Sequence, residues 1–173
     1  LLHGLKAQNQ ETVAAIRQLV YELRPPALDE LGLVGALQAQ AGRLTGRDNL
    51  HIQITSFPDP LPPLTAAVDV AAYRITLEAM TNVVKHAGAQ NCTIRFRIAD
   101  WGLQISPSIP NQFSIEIVDD GTGLPANYHP GVGLHSIRER AEELGGSFEV
   151  ESQPGRGMAV RVTLPIAKPG EPS

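Results

Sequence analysis

The chemistry-bearing residues of this chain fall in a few short stretches. The first is Glu78-Ala-Met-Thr-Asn82-Val-Val-Lys85-His86-Ala87. Glu78, Asn82 and the Lys85/His86 pair follow at spacings of four, then three or four, which places them on one face of a helix. An acid, an amide and a base stacked at one end of a helix can hold a metal ion and phosphates. Alone, the pattern also describes a solvated polar face. The second stretch, Asp119-Asp120-Gly121-Thr122-Gly123, follows the alternating run Phe113–Val118. A carboxylate at the end of a buried strand, then glycines, suits recognition of a flat ligand by one polar anchor and close backbone approach. Alone, it is an ordinary Asp-Gly turn. In the third, Gly131-Val132-Gly133-Leu134 opens a helical pattern, and the free N–H groups of such a terminus attract phosphate oxygens. Gly155-Arg156-Gly157 reads only as a hairpin turn.

These stretches need elements to position them. A helix from about Thr65 to Ala87 carries the first, with Val68, Ala72, Ile75, Ala79 and Val83 forming its core side. Strands are expected at His51–Thr55, Cys92–Ile98, Phe113–Val118, Ser147–Ser152 and Met158–Leu164, the last two joined as a hairpin. Pro58 to Pro63 is a rigid connector, and Asp100 to Gln112, with Trp101, a long surface loop. A further helix spans about Gly133 to Leu144, stopped by Gly145-Gly146, and another about Leu28 to Leu44, ended by Gly46. Ahead of them Leu2, Leu5, Asn9, Thr12, Ile16, Leu19 and Leu23 alternate at three and four, a helical seam of the kind that faces another helix. Arg24-Pro25-Pro26 breaks that helix. From Pro165 the chain reads as a frayed tail. Helices mixed with hairpin-linked strands predict an α+β, two-layer sandwich, with a mixed, mostly antiparallel sheet and helices on one face.

Composition sets the outer bounds. The 173 residues fit one domain with a short appended element, and 42% hydrophobic against 18% charged residues is a globular balance. Acids outnumber bases 18 to 14, which argues against nucleic acid as a partner. A single cysteine, Cys92, excludes an intrachain disulfide and fits a reducing, cytoplasmic compartment. No apolar run approaches a membrane span. The start at Leu1 suggests a piece of a longer protein, one that an upstream segment can anchor to a membrane.

Taken together and in this order, the three stretches resemble the ATPase fold (the Bergerat fold) shared by histidine kinases, type II DNA gyrases, ninety-kilodalton heat-shock chaperones and mismatch-repair ATPases. Glu78 to His86 resembles that superfamily's asparagine box, Asp119 to Gly123 its first glycine box, and Gly131-Val132-Gly133 its second. Leu23-Arg-Pro-Pro-Ala-Leu-Asp-Glu-Leu-Gly-Leu33 and Gly133-Leu-His-Ser-Ile-Arg-Glu-Arg-Ala-Glu-Glu-Leu-Gly-Gly146 resemble the nitrate-sensor type of two-component sensor histidine kinase.

The resemblance implies roles. Asp119 accepts the adenine amine, while Gly121 and Gly123 let the backbone approach base and ribose. Asn82 offers its carbonyl to Mg²⁺, and Glu78, the catalytic residue and a second metal-site residue, orients a metal-bound or nearby water. Lys85, with His86 as the weaker candidate, sits near the phosphates. Gly131 and Gly133 hinge a short lid, Leu124 to Pro130, whose helix terminus faces the triphosphate, and Leu134 joins the nucleotide-binding set. The implied reaction moves the γ-phosphate of Mg-ATP to a histidine on a dimerisation helix, for relay to a response-regulator aspartate. The full-length protein is expected to be a homodimer. Residues 1–24 are expected to be the remnant second helix of the dimerisation hairpin, 25–167 the catalytic domain and 168–173 a flexible tail. In this family an acid follows the acceptor histidine. None of His3, His51, His86, His129 and His135 precedes one, so the phosphoacceptor is expected to lie outside this chain. Other readings are an ATP-hydrolysing machine of the gyrase or chaperone type, a serine kinase of the same fold, and an ATP-binding or dimerisation module without transfer.

Overall fold

The computed structural model describes residues 25–45, 49–99, 111–125 and 131–166. The expectations for the leading helix, Gly46, Trp101 and most of its loop, the greater part of the lid, and residues 167–173 lie outside them.

Helix α1, Pro26–Leu44, begins with proline in its first turn, where a missing N–H costs nothing. It therefore starts two residues before Leu28, and it contains a break that periodicity did not announce. Gly32 sits at φ 67° and ψ 177°, so a short first segment and a longer second one meet at an angle. Leu28, Leu33, Leu37 and Ala41 nevertheless all reach the core. Strand β1, His51–Phe57, runs two residues past its expected end.

Helix α2, Ala66–Asn82, is capped by Thr65, whose hydroxyl accepts the Val68 N–H; such a cap contributes about 1 kcal/mol. Its expected core face is the observed one, with Val68, Ala72, Ile75, Ala79 and Val83 all buried. The chain does not stay α-helical to Ala87. Val83–Ala87 forms a wider π-helical turn, ended by Gly88 in the left-handed region at φ 59°.

Strands β2 (Asn91–Ile98) and β3 (Asn111–Asp119) come next, then helix α3 (Val132–Glu143) and strands β4 (Ser147–Ser152) and β5 (Met158–Ile166). Asn111 and Gln112 thus belong to β3, not to the loop before it. Pro165 and Ile166 belong to β5, not to a tail: they pair with Gln112 and Asn111. The β4 ladder stops at Thr163, so proline falls where β5 has one neighbour and a lost donor is tolerated.

The sheet order is β1-β2-β3-β5-β4, parallel between β1 and β2 and antiparallel elsewhere. Cys92, Ile94, Phe96 and Ile98 of β2, Phe113, Ile115 and Ile117 of β3, and Val160, Val162 and Leu164 of β5 face the helices and are buried. Phe96 and Phe113 stack at 5.7 Å. The opposite face carries an ion-pair ladder across four strands: Arg95 to Glu116 at 2.9 Å, Glu116 to Arg161 at 3.1 Å, and Arg161 to Glu151 at 2.9 Å. Burial pushes the Glu116 carboxyl up, but the bonds from Arg161 and Arg95 outweigh it and hold it below its usual range. Exposed pairs of this kind contribute little stability each.

One core position is unsatisfied. Thr76 is fully buried on α2, and its hydroxyl finds no hydrogen-bond partner among the described residues. Thr76→Val keeps the shape and removes the orphan. It should raise unfolding stability by about 1 kcal/mol, measured by urea denaturation; a loss of stability would reveal a partner for the hydroxyl.

Candidate functional site

A cleft of about 510 Å³ opens between the C-terminal end of α2 with its π turn, the end of β3, and the start of α3. Glu78, Asn82, Lys85, His86, Asp119, Gly123, Gly131, Gly133 and Leu134 all line it. Gly121, which the resemblance also placed against the nucleotide, does not line it.

The α2 side carries the polar set. Glu78 and Asn82 are one turn apart on the last turns of α2. Lys85 and His86, on the π turn that follows, both line the cleft; single π turns recur at functional sites. Among the described residues no three or more His, Cys, Asp or Glu side chains gather as a ready-made metal cage. The Asn82 amide and Glu78 carboxylate supply oxygen ligands only, a donor set that fits Mg²⁺ shared with substrate phosphates rather than a soft-metal site.

The floor is Asp119, the last residue of β3, only 4% exposed. Its Oδ1 accepts the Gly121 N–H at 2.9 Å. Burial raises its carboxyl above the usual range, and the N–H groups of Gly121 and Met158 offset this in part. A raised acid binds its proton more tightly in the folded state, so this site loses stability as pH rises from the ordinary aspartate range through the native value. Asp119→Asn keeps an oxygen for Gly121 and removes the buried charge. At pH 7 it should therefore melt no earlier than the parent, a thermal-unfolding result that any drop of several degrees would contradict. Cys92 pairs with Asp119 across the β2–β3 ladder. Burial, then the charges of Asp119 and Asp120, push its thiol up to about 12, so it is a neutral packing group.

The glycines are where backbone meets backbone. A Cβ on Gly121 would stand 2.3 Å from the Ala87 carbonyl oxygen, and Thr122 N–H donates to that same oxygen at 2.8 Å. Gly121 thus joins the end of the π turn to the end of β3 behind the cleft wall. Gly123, at φ 68°, packs as tightly on Gln153. Gly133 touches the other wall: its Cβ would lie 2.6 Å from Glu78 Oε1 and 2.8 Å from Asn82 Nδ2. The start of α3, capped at Gly131 without a side-chain bond, therefore rests on the Glu78–Asn82 pair beside the cleft. Such an end attracts anions.

Sequence reasoning missed part of the site. Gly157 is more than a turn residue: at φ 80°, its Cβ would meet the Asp119 carbonyl oxygen at 2.0 Å. Met158, opposite Asp119 in the β3–β5 ladder, lines the cleft. Ser152 ties the far side, accepting the Leu124 N–H at 2.7 Å and donating to the Gly157 carbonyl at 3.0 Å. Antiparallel pairing of the Asp119 strand with the one opening at Met158 was the available signal.

The family model for histidine kinase-, DNA gyrase B-, and HSP90-like ATPases matches residues 67–168, more than half of the chain. The chain belongs to this ATPase family. The matched span contains every residue of the cleft, and the α+β sandwich is the Bergerat fold expected of such a domain. Among solved structures, this ATPase domain is similar to the histidine kinase domain of the blue-light activated histidine kinase of Erythrobacter litoralis EL346, at 18% identity and a TM-score of 0.63, over 83% of this chain and 70% of that one. A longer structure of that kinase gives 16% identity and a TM-score of 0.64, over 92% of this chain and 50% of that one. At such identities the likeness speaks for the fold.

Proposed function

We propose that this histidine kinase-like ATPase domain binds Mg-ATP in the cleft and donates the γ-phosphate to a histidine on a dimerisation helix, for relay to a response-regulator aspartate in two-component signalling of the nitrate-sensor type. On this reading the protein is a cytoplasmic catalytic domain, dimeric in its full-length context. The observation that carries it is Asp119: a buried carboxylate on the floor of a cleft whose other wall presents Glu78, Asn82, Lys85 and His86.

Asp119 accepts from the N–H groups of Gly121 and Met158, and the remaining lone pairs of the carboxylate keep acceptor capacity for the adenine amine. Lys85 and the α3 terminus supply positive potential for the phosphates. Glu78 and Asn82 would hold Mg²⁺, which when bound neutralises phosphate charge. Phosphoryl transfer is mainly positioning and charge neutralisation. An imidazole nitrogen attacks the γ-phosphorus, the bond to the β-phosphate oxygen breaks, and ADP leaves. His86 lines the cleft from the α2 side and His135 pairs with Glu139 at 3.1 Å; neither is followed by an acid, so the acceptor is assigned to another helix.

Calorimetry with Mg-ATP on the parent and on Asp119→Asn tests this. A hydrogen bond to a charged group contributes about 1.5–3 kcal/mol, so the variant should bind roughly ten- to a hundredfold more weakly while remaining folded. Equal binding by both would mean the adenine anchor lies elsewhere. No binding by the parent would overturn the nucleotide reading. A γ-phosphate transfer assay with the acceptor helix supplied separates a kinase from an ATP-binding module without transfer.

A further inference from the structure

Asp120 follows the adenine anchor but turns away from the cleft, and its side chain is bonded more fully than any role assigned so far requires. Its Oδ1 accepts two backbone N–H groups, from Gln90 and Asn91, both at 2.8 Å. Its Oδ2 accepts from the Asn91 side-chain amide at 2.7 Å. The backbone adds a bond from Asp120 N–H to the Asn91 carbonyl at 3.2 Å. The backbone and side chain of Asn91 hold its carboxyl below the usual range, so it remains an anion and a full acceptor at neutral pH. Donors of this kind to a carboxylate are the stronger class of hydrogen bond.

The segment grasped is the one that leaves the π turn. Lys85 and His86 stand on that turn, Ala87 ends it against Gly121, and Gln90–Asn91 leads into β2. Asp119 and Asp120 are adjacent on a strand end that is itself fixed by β2 and β5. One side chain therefore ties the floor of the cleft to the chain carrying its cationic wall.

We infer that Asp120 is a positioning residue that sets the distance between the base end of the cleft at Asp119 and the phosphate end at Lys85 and His86. This rests on the nucleotide reading above. Loss of the clamp leaves the Asp119–Gly121 bond and the β3 ladders in place, so the base end persists. The stretch from Ala87 to Asn91 loosens, and the phosphate end drifts with it.

The test compares ATP with adenosine, which lacks phosphates, as ligands of the same variants. Asp120→Ala is expected to lower ATP affinity about tenfold and adenosine affinity less than about threefold, so the ATP-to-adenosine ratio falls. Asp120→Asn should restore the ratio to within about threefold, because its amide oxygen can still accept both backbone N–H groups and Asn91 can flip its own amide. A merely structural role would weaken both ligands alike. An unchanged ratio in Asp120→Ala, or no rescue by asparagine, overturns the inference. If Asp120→Ala does not fold, Asn91→Ala removes only the Oδ2 bond and should shift the ratio by roughly twofold in the same direction; an unmoved ratio there counts equally against the clamp. A parent chain that binds neither ligand defeats the nucleotide reading itself, whereas a parent that binds both with ratios unmoved in the variants defeats this inference alone.

Discussion

Gly157→Ala is expected to destabilise the protein by more than about 3 kcal/mol, summing the cost of a left-handed backbone for alanine and of overpacking. The residue holds φ 80°, and an added Cβ would stand 2.0 Å from the Asp119 carbonyl oxygen, 2.8 Å from its carbon and 3.1 Å from the Asp120 Cα. All three are backbone atoms of, or just past, the central strand β3, so none can rotate aside. Movement of Gly157 itself would break its carbonyl's bond from Ser152, and with it the support of Leu124. Two residues away, Gly155 has nearly the same φ at 76°, and nothing lies within 4 Å of where its methyl group would stand. Gly155→Ala therefore isolates the conformational cost, about 1–2 kcal/mol. Urea denaturation of the two variants decides the matter. Equal losses would mean that the contact with Asp119 relaxes at little cost and that Gly157 is, after all, only a turn residue.

That pair of glycines also shows what was legible in the sequence. Gly155-Arg156-Gly157 reads as a turn because both glycines are local turn formers, and at Gly155 nothing beyond that turn excludes a side chain. Its long-range bond, from its own N–H to the Thr122 carbonyl at 2.7 Å, is one that any residue but proline could make. The demand on Gly157 comes from Asp119, far away in the chain, through the β3–β5 register, and no local pattern encodes it. Within single elements the reading went further. The core face of α2 and the alternation in β2, β3 and β5 follow from periodicity, because burial there is a one-element property. The same periodicity placed Glu78, Asn82, Lys85 and His86 together, and all four line the cleft. It did not distinguish an α from a π turn at Val83–Ala87, since the residues that reach the cleft are the same and only the width of the turn differs. Nor did it show the break at Gly32 inside α1: apolar residues continue on both sides of it, and the sole signal was one glycine. Asp120 is illegible for a different reason. Beside Asp119 it reads as one more acid of a turn, and its three donors lie on residues 90 and 91, across a strand pairing.

Gly133→Ala should give the reverse result to Gly157→Ala, a folded protein with a disabled site. No left-handed conformation is required at Gly133, so alanine can take its backbone in the first turn of α3, where it is also the better helix former. The atoms in its way are Glu78 Oε1 at 2.6 Å and Asn82 Nδ2 and Oδ1 at 2.8 and 3.0 Å. These are the tips of flexible side chains, free to turn where backbone is not, so the stability change should stay within about 1 kcal/mol. The cost falls on what those tips are for. Displacing the two groups assigned to the metal by roughly 1 Å should lower γ-phosphate transfer to a supplied acceptor helix about a hundredfold. Adenine-end affinity, read with adenosine, should hardly move, because Asp119 is untouched. Three readouts on one variant then locate the function within the cleft. Transfer lost with adenosine binding and melting temperature intact assigns the Glu78–Asn82 wall to the chemistry. Transfer at the parental level would mean that these side chains have room to give and that the wall's role lies in binding alone.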